Sequence, residues 1–268
     1  MDISEKILRK LKEWQKQEGT LPQYLELYRK LLLIQIDAKE NAPSTKITLT
    51  KAEIENAVTN GIPLLKWDAI PIDWTVFQKL AQAAIKTIEE SSETVKFEIP
   101  ALQDMAKTWY EGSPLSPWAN NLGIDEVLLS AVIDCAMKPL LAAQAKNLLK
   151  SFPQDMWRRG YCPICGGKPD FAYLDKEKGA RWLLCSRCDA EWLFQRLECP
   201  YCRTNNQKDL AYYTDEKGLY RLYVCQQCHT YLKAIDLRHA ESEILLPLER
   251  VLTADMDRQG QEKGFKGV

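Results

Sequence analysis

The chain has 268 residues, of which 46% are hydrophobic and 27% are charged, and its formal net charge is −1. This composition predicts a globular protein of one large or two smaller domains. The near-zero net charge argues against a strongly basic protein that binds the phosphate backbone of nucleic acids. The first residues, MDISEKILRKLKEW, contain no apolar leader, and no apolar run reaches the length of a membrane span. We therefore expect a protein of the reducing cytoplasm.

Residues 1–157 are predicted to form an all-helical domain. Apolar side chains recur at helical spacing between Leu21 and Asn41. Thr50 and Glu53 have the spacing of a capping box, which places the start of another helix just after Thr50.

Two further helices are predicted before the cysteine-rich part of the chain. Asp73 is a plausible N-cap for a helix that runs to about Glu90. Residues 123–150 are strongly apolar, and Pro139 is expected to kink or split this segment. Cys135 lies within it and is expected to be a buried core thiol.

The second half of the chain has a different pattern. Residues 158–237 contain short β-type runs, such as Arg181–Leu184 and Tyr220–Val224, which alternate with turns. Residues 238–268 return to helical spacing, with Pro247 near the first turn of the predicted helix, where proline is tolerated. The predicted class is therefore α+β: a helical domain, tandem rubredoxin-like or zinc-ribbon modules, and a C-terminal helix.

Eight of the nine cysteines form four Cys-x-x-Cys pairs of identical spacing. Each pair can bind a metal ion from a single tight turn, which we call a knuckle. Two knuckles can complete one tetrahedral four-thiolate site. Eight cysteines rarely fall into this pattern by chance, and in a reducing compartment they indicate metal rather than disulfides. We predict two metal ions, iron or zinc, with these ligands: Cys162, Cys165, Cys185, Cys188, Cys199, Cys202, Cys225 and Cys228.

An internal repeat indicates how the pairs combine. Residues 170–188 align with residues 209–228, and each copy follows one knuckle, turns at a Lys-Gly hairpin and ends in a second knuckle. This layout favours one metal per repeat over a cross-brace that would join alternate pairs. Because protein sulfur fills all four positions, we expect structural sites without a reactive metal-bound water.

The sequence of the first knuckle is also compatible with an iron site that transfers electrons. Cys162-Pro-Ile-Cys165-Gly166 has the form of rubredoxin knuckles, which hold iron, and tetrahedral all-sulfur geometry suits iron as well as zinc. The residues that follow the other knuckles are Asp189, Arg203 and His229. Asp and His tolerate left-handed backbone better than Arg does.

The net charge of the cysteine-rich half of the chain indicates which class of partner it binds. Residues 151–268 contain 18 Lys and Arg against 17 Asp and Glu. Two divalent ions with eight thiolates add a formal −4, which brings this region to about −3. Since phosphate contacts require excess positive charge, a protein partner is favoured over nucleic acid.

The sequences around the cysteines resemble the formate dehydrogenase accessory proteins of the FdhE type. The match is strong over residues 158–236, although Arg203 stands where a glycine is common in that family. The runs that carry the resemblance are CPICG, RWLLCSRC, EWLFQRLECPYC and CQQCHTYLK. Outside the cysteines, the matching residues are Arg181, Leu184, Trp192, Arg196, Tyr231 and Lys233.

The resemblance implies a cytoplasmic assembly factor that contacts the catalytic, molybdopterin-containing subunit of formate dehydrogenase. It implies rubredoxin-like metal ligation and a link to iron, but no oxidation of formate, no enzymatic activity and no catalytic residues in this chain. Only the eight cysteines carry over as functional positions. The sequence does not indicate the oligomeric state, and a homodimer is possible. The alternatives are a rubredoxin-like protein that transfers electrons or senses oxygen and, less favoured, a nucleic-acid-binding zinc ribbon.

Overall fold

A computed structural model describes residues 2–41, 46–89 and 95–267. The chain divides into two compact units. One comprises Met1–Ile47 and Lys66–Gln144, and the other comprises Thr48–Leu65 and Ala145–Val268. The division into domains at 1–157, 158–237 and 238–268 stays a prediction. No helix among the described residues is both long enough and apolar enough to cross a membrane.

The helices of the described residues follow one another along the chain. They are α1 (Ile3–Glu18), α2 (Gln23–Asn41), α3 (Lys51–Asn60), α4 (Trp74–Ile88), α5 (Ile99–Glu111), α6 (Ser116–Leu122), α7 (Glu126–Leu148), α8 (Leu246–Leu252) and α9 (Ala254–Glu262).

The first unit is helical, as its sequence pattern predicts. Within it, α2 packs against α1 and α4, and α4 packs against α5. The buried side chains are those at helical spacing, such as Ile7 and Leu11 on α1 and Phe77, Ala81 and Ile85 on α4. Burial of these apolar faces is what holds the helices together.

Both predicted helix starts are confirmed. The Asp73 carboxylate accepts hydrogen bonds from the backbone N–H groups of Thr75 and Val76, at 2.9 and 3.1 Å. At α3 the reciprocal capping box is present: the Glu53 N–H donates to the Thr50 hydroxyl, and the Thr50 N–H donates to the Glu53 carboxylate. These bonds satisfy N–H groups that have no partner inside the helix. The predicted α4 end at Glu90 lies outside the described residues.

Pro139 does not split the apolar segment, because α7 continues through it. A proline inside a helix costs about 3 kcal/mol. The neighbouring side chains Ala136, Met137 and Leu141 are fully buried, and their packing offsets that cost. Cys135 on α7 is a buried core thiol, as predicted, and burial raises its pKa to about 12.

The second unit is built on a six-stranded sheet. The strands lie in the order β3-β2-β1-β6-β5-β4. Neighbouring strands are antiparallel except for β1 and β6, which are parallel, with Phe171 opposite Lys233 and Leu174 opposite Asp236. The strands are β1 (Pro169–Leu174), β2 (Arg181–Cys185), β3 (Glu191–Phe194), β4 (Leu210–Thr214), β5 (Tyr220–Cys225) and β6 (Thr230–Asp236).

Each sequence repeat, together with the strand that follows it, forms a three-stranded meander. We call residues 162–194 the first module and residues 199–236 the second module. The third strand of the second module, β6, lies beside the first strand of the first module, β1. The second module is therefore related to the first by a translation across the sheet. As a result β6 lies inside the sheet and is buried along its whole length, whereas β4 is a largely exposed edge strand.

The C-terminal segment is helical, as predicted, but it is interrupted at Thr253. The Thr253 hydroxyl donates a 2.8 Å hydrogen bond to the Glu249 carbonyl, and the residue itself leaves helical geometry between α8 and α9. Threonine hydroxyls compete in this way with the backbone bonds of a helix. Pro247 lies in the first turn of α8, as expected.

Candidate metal centres

The eight paired cysteines gather into two groups, each drawn from one module. Within each group the sulfur atoms all lie within 4.8 Å of one another. This is the sequential arrangement that the repeat predicts, and the described cysteines do not form the cross-brace. Site 1 consists of Cys162, Cys165, Cys185 and Cys188, and site 2 consists of Cys199, Cys202, Cys225 and Cys228.

The spacing of the sulfur atoms fits a metal ion. The Cys162–Cys188 and Cys165–Cys185 sulfur pairs in site 1 are 3.6 and 3.5 Å apart. In site 2 the corresponding pairs, Cys199–Cys228 and Cys202–Cys225, are 3.7 and 3.6 Å apart. A tetrahedron with metal–sulfur bonds of about 2.3 Å has sulfur atoms about 3.8 Å apart. Both quartets therefore suit zinc or iron.

Each knuckle closes with a residue in the left-handed backbone region. The φ angles are 74° at Gly166, 54° at Asp189, 66° at Arg203 and 52° at His229. Three of these residues donate their N–H to the carbonyl of the cysteine that opens the knuckle, over 2.9 to 3.0 Å. A left-handed residue thus closes all four knuckles, and the hydrogen-bonded turn is shared by at least three of them.

Arg203 adopts this conformation although it lacks glycine's freedom. Its guanidinium forms an ion pair with the buried Glu198 carboxylate. It also lies over the Phe194 ring, 5.5 Å from the ring centre. These side-chain contacts stabilise the third knuckle and offset the cost of the left-handed backbone.

Site 1 is enclosed by backbone from an earlier part of the chain. All four of its cysteines are buried. The N–H groups of Leu64 and Leu65 donate to the carbonyls of Pro163 and Ile164, at 2.9 and 2.8 Å. The Ile164 N–H in turn lies 3.4 Å from the Cys162 sulfur. The first knuckle is thus held from outside its own module.

Helix α8 holds the other knuckle of site 1. The Arg250 guanidinium donates to the Cys185 carbonyl and to the Asp189 carboxylate, each at 2.9 Å. It also lies 3.0 Å from an oxygen of Asp170 at the start of the sheet. This arginine therefore fixes the second knuckle against α8.

Burial raises the pKa of the Cys162 and Cys188 thiols above their ordinary value. A bound cation overrides this effect, since a coordinating thiol is deprotonated. Metal binding at site 1 should therefore release protons and weaken as the pH falls.

Site 2 is less enclosed. Cys199 and Cys225 are buried, whereas Cys202 and Cys228 are partly exposed. A cavity of about 30 Å³ adjoins the site and is lined by Cys199, Cys225 and Arg181, among other residues. Solvent and small reagents can thus approach site 2 more readily than site 1.

Comparison with known proteins places the chain in a family. The family model described as "FdhE, central domain" matches residues 161–196, which cover site 1 and β1 to β3. The "Protein FdhE homolog" of Aquifex aeolicus is 30% identical over 82% of this chain and 77% of that protein. The chain belongs to the FdhE family. The resemblance to the FdhE-type formate dehydrogenase accessory proteins is therefore confirmed.

Other members are more distant. "Protein FdhE" of Escherichia coli O127:H6 is 25% identical over 80% of this chain and 70% of that protein. The crystal structure of the FdhE protein from Pseudomonas aeruginosa matches with a TM-score of 0.66, covering 98% of this chain and 91% of that one. Its sequence identity is 20%, so this match bears on the fold alone. It supports the α+β arrangement described above.

Three of the FdhE-pattern residues outside the cysteines have packing or hydrogen-bonding roles. Trp192 is buried and donates its indole N–H to the Arg159 carbonyl at 2.9 Å. The Tyr231 hydroxyl donates to one oxygen of Asp257, and the Lys233 ammonium donates to the other, at 2.9 and 2.6 Å. These bonds attach β6 to α9.

The Lys233–Asp257 pair leads to a stability prediction. Lys233 is 6% exposed and Asp257 is 36% exposed. Changing Asp257→Asn would leave the buried ammonium without a charged partner, and we expect a loss of about 1.5–3 kcal/mol in the free energy of unfolding. Chemical denaturation measures this loss. Asp255→Asn on the same helix is the control, because its side chain is 85% exposed. Equal losses for the two variants would contradict the role of the buried pair.

Proposed function

We propose that this FdhE-family protein is a cytoplasmic assembly factor for the maturation of formate dehydrogenase. It binds the catalytic subunit of that enzyme and carries two metal ions, iron or zinc, in sites 1 and 2. Family membership, together with two complete four-cysteine quartets, carries this proposal. The role is non-enzymatic, since four protein sulfurs around each ion leave no coordination position for a substrate or a reactive water.

The two cysteine quartets have unequal environments, which supports unequal roles for the ions that they would hold. Site 1 is buried and is held by Leu64, Leu65 and Arg250, as expected of a structural ion. Site 2 is partly exposed at Cys202 and Cys228. That exposure supports a second candidate function, rubredoxin-like electron transfer or oxygen sensing at site 2, which is compatible with the assembly role.

The proposal is tested in the native host under anaerobic conditions. Affinity-tagged full-length protein should co-purify with the formate dehydrogenase catalytic subunit, and metal analysis of the same sample identifies the ions. Deleting the gene should abolish formate dehydrogenase activity. The wild-type protein should restore it, and so should the control Cys135→Ala, which lies outside both sites. Normal enzyme activity in the deletion strain would rule out the assembly role, and full restoration by zinc-only protein would rule out the redox role.

A further inference from the structure

Arg181 belongs to the first module, but its guanidinium lies at the second. It starts β2 and is 3% exposed. One guanidinium nitrogen donates to the carbonyls of Gln195 and Glu198. Glu198 directly precedes Cys199, the first ligand of site 2. The arginine therefore holds the chain at the point where it enters the third knuckle.

The charge of this arginine needs a buried counter-charge. Among the described residues, no carboxylate forms an ion pair with Arg181, and its Nε has no hydrogen-bond partner. The nearby Glu198 carboxylate is paired with Arg203. Cys199 and Cys225, however, line the same small cavity as Arg181. The Arg181 guanidinium lies over the Phe194 and Tyr223 rings, 5.2 and 5.5 Å from their centres, which stabilise its charge in part. A buried cation is costly without a counter-charge, and the cysteines of site 2 are a further source of negative charge.

The sequence repeat supplies an internal comparison. Arg181 stands four residues before Cys185, and Arg221 stands four residues before Cys225. Arg221 is bonded at 2.6 Å to the carboxylate of Asp236, which is fully buried. The arginine of the second module is thus paired with a buried carboxylate, which it shares with Arg238, whereas that of the first module lies at site 2.

We propose that Arg181 is a positioning residue that supplies the positive counter-charge of the site 2 metal–thiolate centre. Four thiolates around a divalent ion carry a formal charge of −2. A fixed cation in a cavity of low polarity stabilises that charge, so it increases the metal affinity of site 2. If the ion is iron, it also raises the reduction potential, because the reduced centre is the more negative one. The inference rests on the metal-binding part of the proposed function.

Two substitutions separate charge from hydrogen bonding. Arg181→Gln removes the charge and keeps an amide donor, whereas Arg181→Lys keeps the charge and loses the planar fork. We expect Arg181→Gln to lower the metal affinity of site 2 by about 10- to 100-fold, the usual range for residues next to the ligands. Arg181→Lys should stay within a few-fold of wild type, and site 1 should be unchanged in both.

The isolated full-length protein is loaded with cadmium and titrated with a competing chelator. Cadmium NMR follows the titration, because each four-thiolate site gives its own signal. Arg221→Gln is the matched control and should leave the site 2 affinity unchanged. Equal weakening by Arg181→Gln and Arg181→Lys would overturn the proposal, as would unchanged affinity in Arg181→Gln. If Arg181→Gln does not fold, Arg181→Lys decides: near-wild-type affinity supports the proposal, and a tenfold loss overturns it. Metal affinity is read without formate dehydrogenase, so failure of the assembly role leaves this result interpretable.

Discussion

A Cys185→Ser variant is expected to lose the metal ion of site 1 and, with it, the ordered structure of the first module. All four cysteines of this site are buried, so the three remaining thiolates would lack both metal and solvent. Structural zinc contributes roughly 10–16 kcal/mol in small finger peptides. This is comparable with the whole stability of a typical domain, about 5–15 kcal/mol. Metal analysis should fall from two ions to one per chain, because all four ligands of site 2 are still present. The affinity of site 2 for its remaining ion should also fall, since Arg181 belongs to the first module.

Cys135→Ala is the matched control for this variant. Cys135 is also buried, but it lies on α7 and belongs to neither quartet. We expect this variant to keep two ions and to lose only about 1 kcal/mol in the free energy of unfolding, a typical cost of a point mutation. A Cys185→Ser protein that still held two ions would show that site 1 is not a metal site of four thiolates.

Metal removal is expected to proceed in two phases, with site 2 emptied first. Cys202 and Cys228 are partly exposed, so we expect a chelator to reach this site without opening of the fold. At site 1 the chelator must wait for local unfolding, which is rare in well-packed regions. We expect the two phases to differ at least about tenfold in rate. Stopped-flow absorption with a chromogenic chelator measures both.

Cys202→Ser assigns these phases. This variant should lack the fast phase and keep the slow one, because it weakens site 2 alone. Lower pH should accelerate release from both sites, since protons compete with the metal for the thiolates. A single phase in the wild-type protein, or loss of the slow phase in Cys202→Ser, would contradict the assignment.

The features that the sequence predicts best are those with local signals. Cys-x-x-Cys spacing gathers the ligands, the Lys-Gly hairpins give β1–β2 and β4–β5, and Asp73 and Thr50 cap helices within one turn. The grouping of the cysteines follows because each repeat, together with the cysteine pair that precedes it, supplies a complete quartet.

The features that escape sequence reasoning depend on distant parts of the chain. The parallel pairing of β1 with β6 joins residues far apart in sequence, and neither strand carries a signal that names its partner. The same holds for Arg250 at site 1 and Arg181 at site 2, because nothing next to either residue in the sequence indicates which knuckle its side chain contacts. One signal was available: the FdhE-type pattern includes Arg181.

The parallel pairing of β1 and β6 also sets an order of events during synthesis. The ligands of site 1 and the strands β1 to β3 leave the ribosome before β4 begins, so the first module can take up its ion early. Until β6 has emerged, however, one side of β1 exposes unpaired backbone groups. Such an open edge is a template for pairing with other chains. The second module therefore protects the first from pairing with other chains. A nascent chain stalled after β3 would expose the unpaired edge of β1 and would be prone to aggregate.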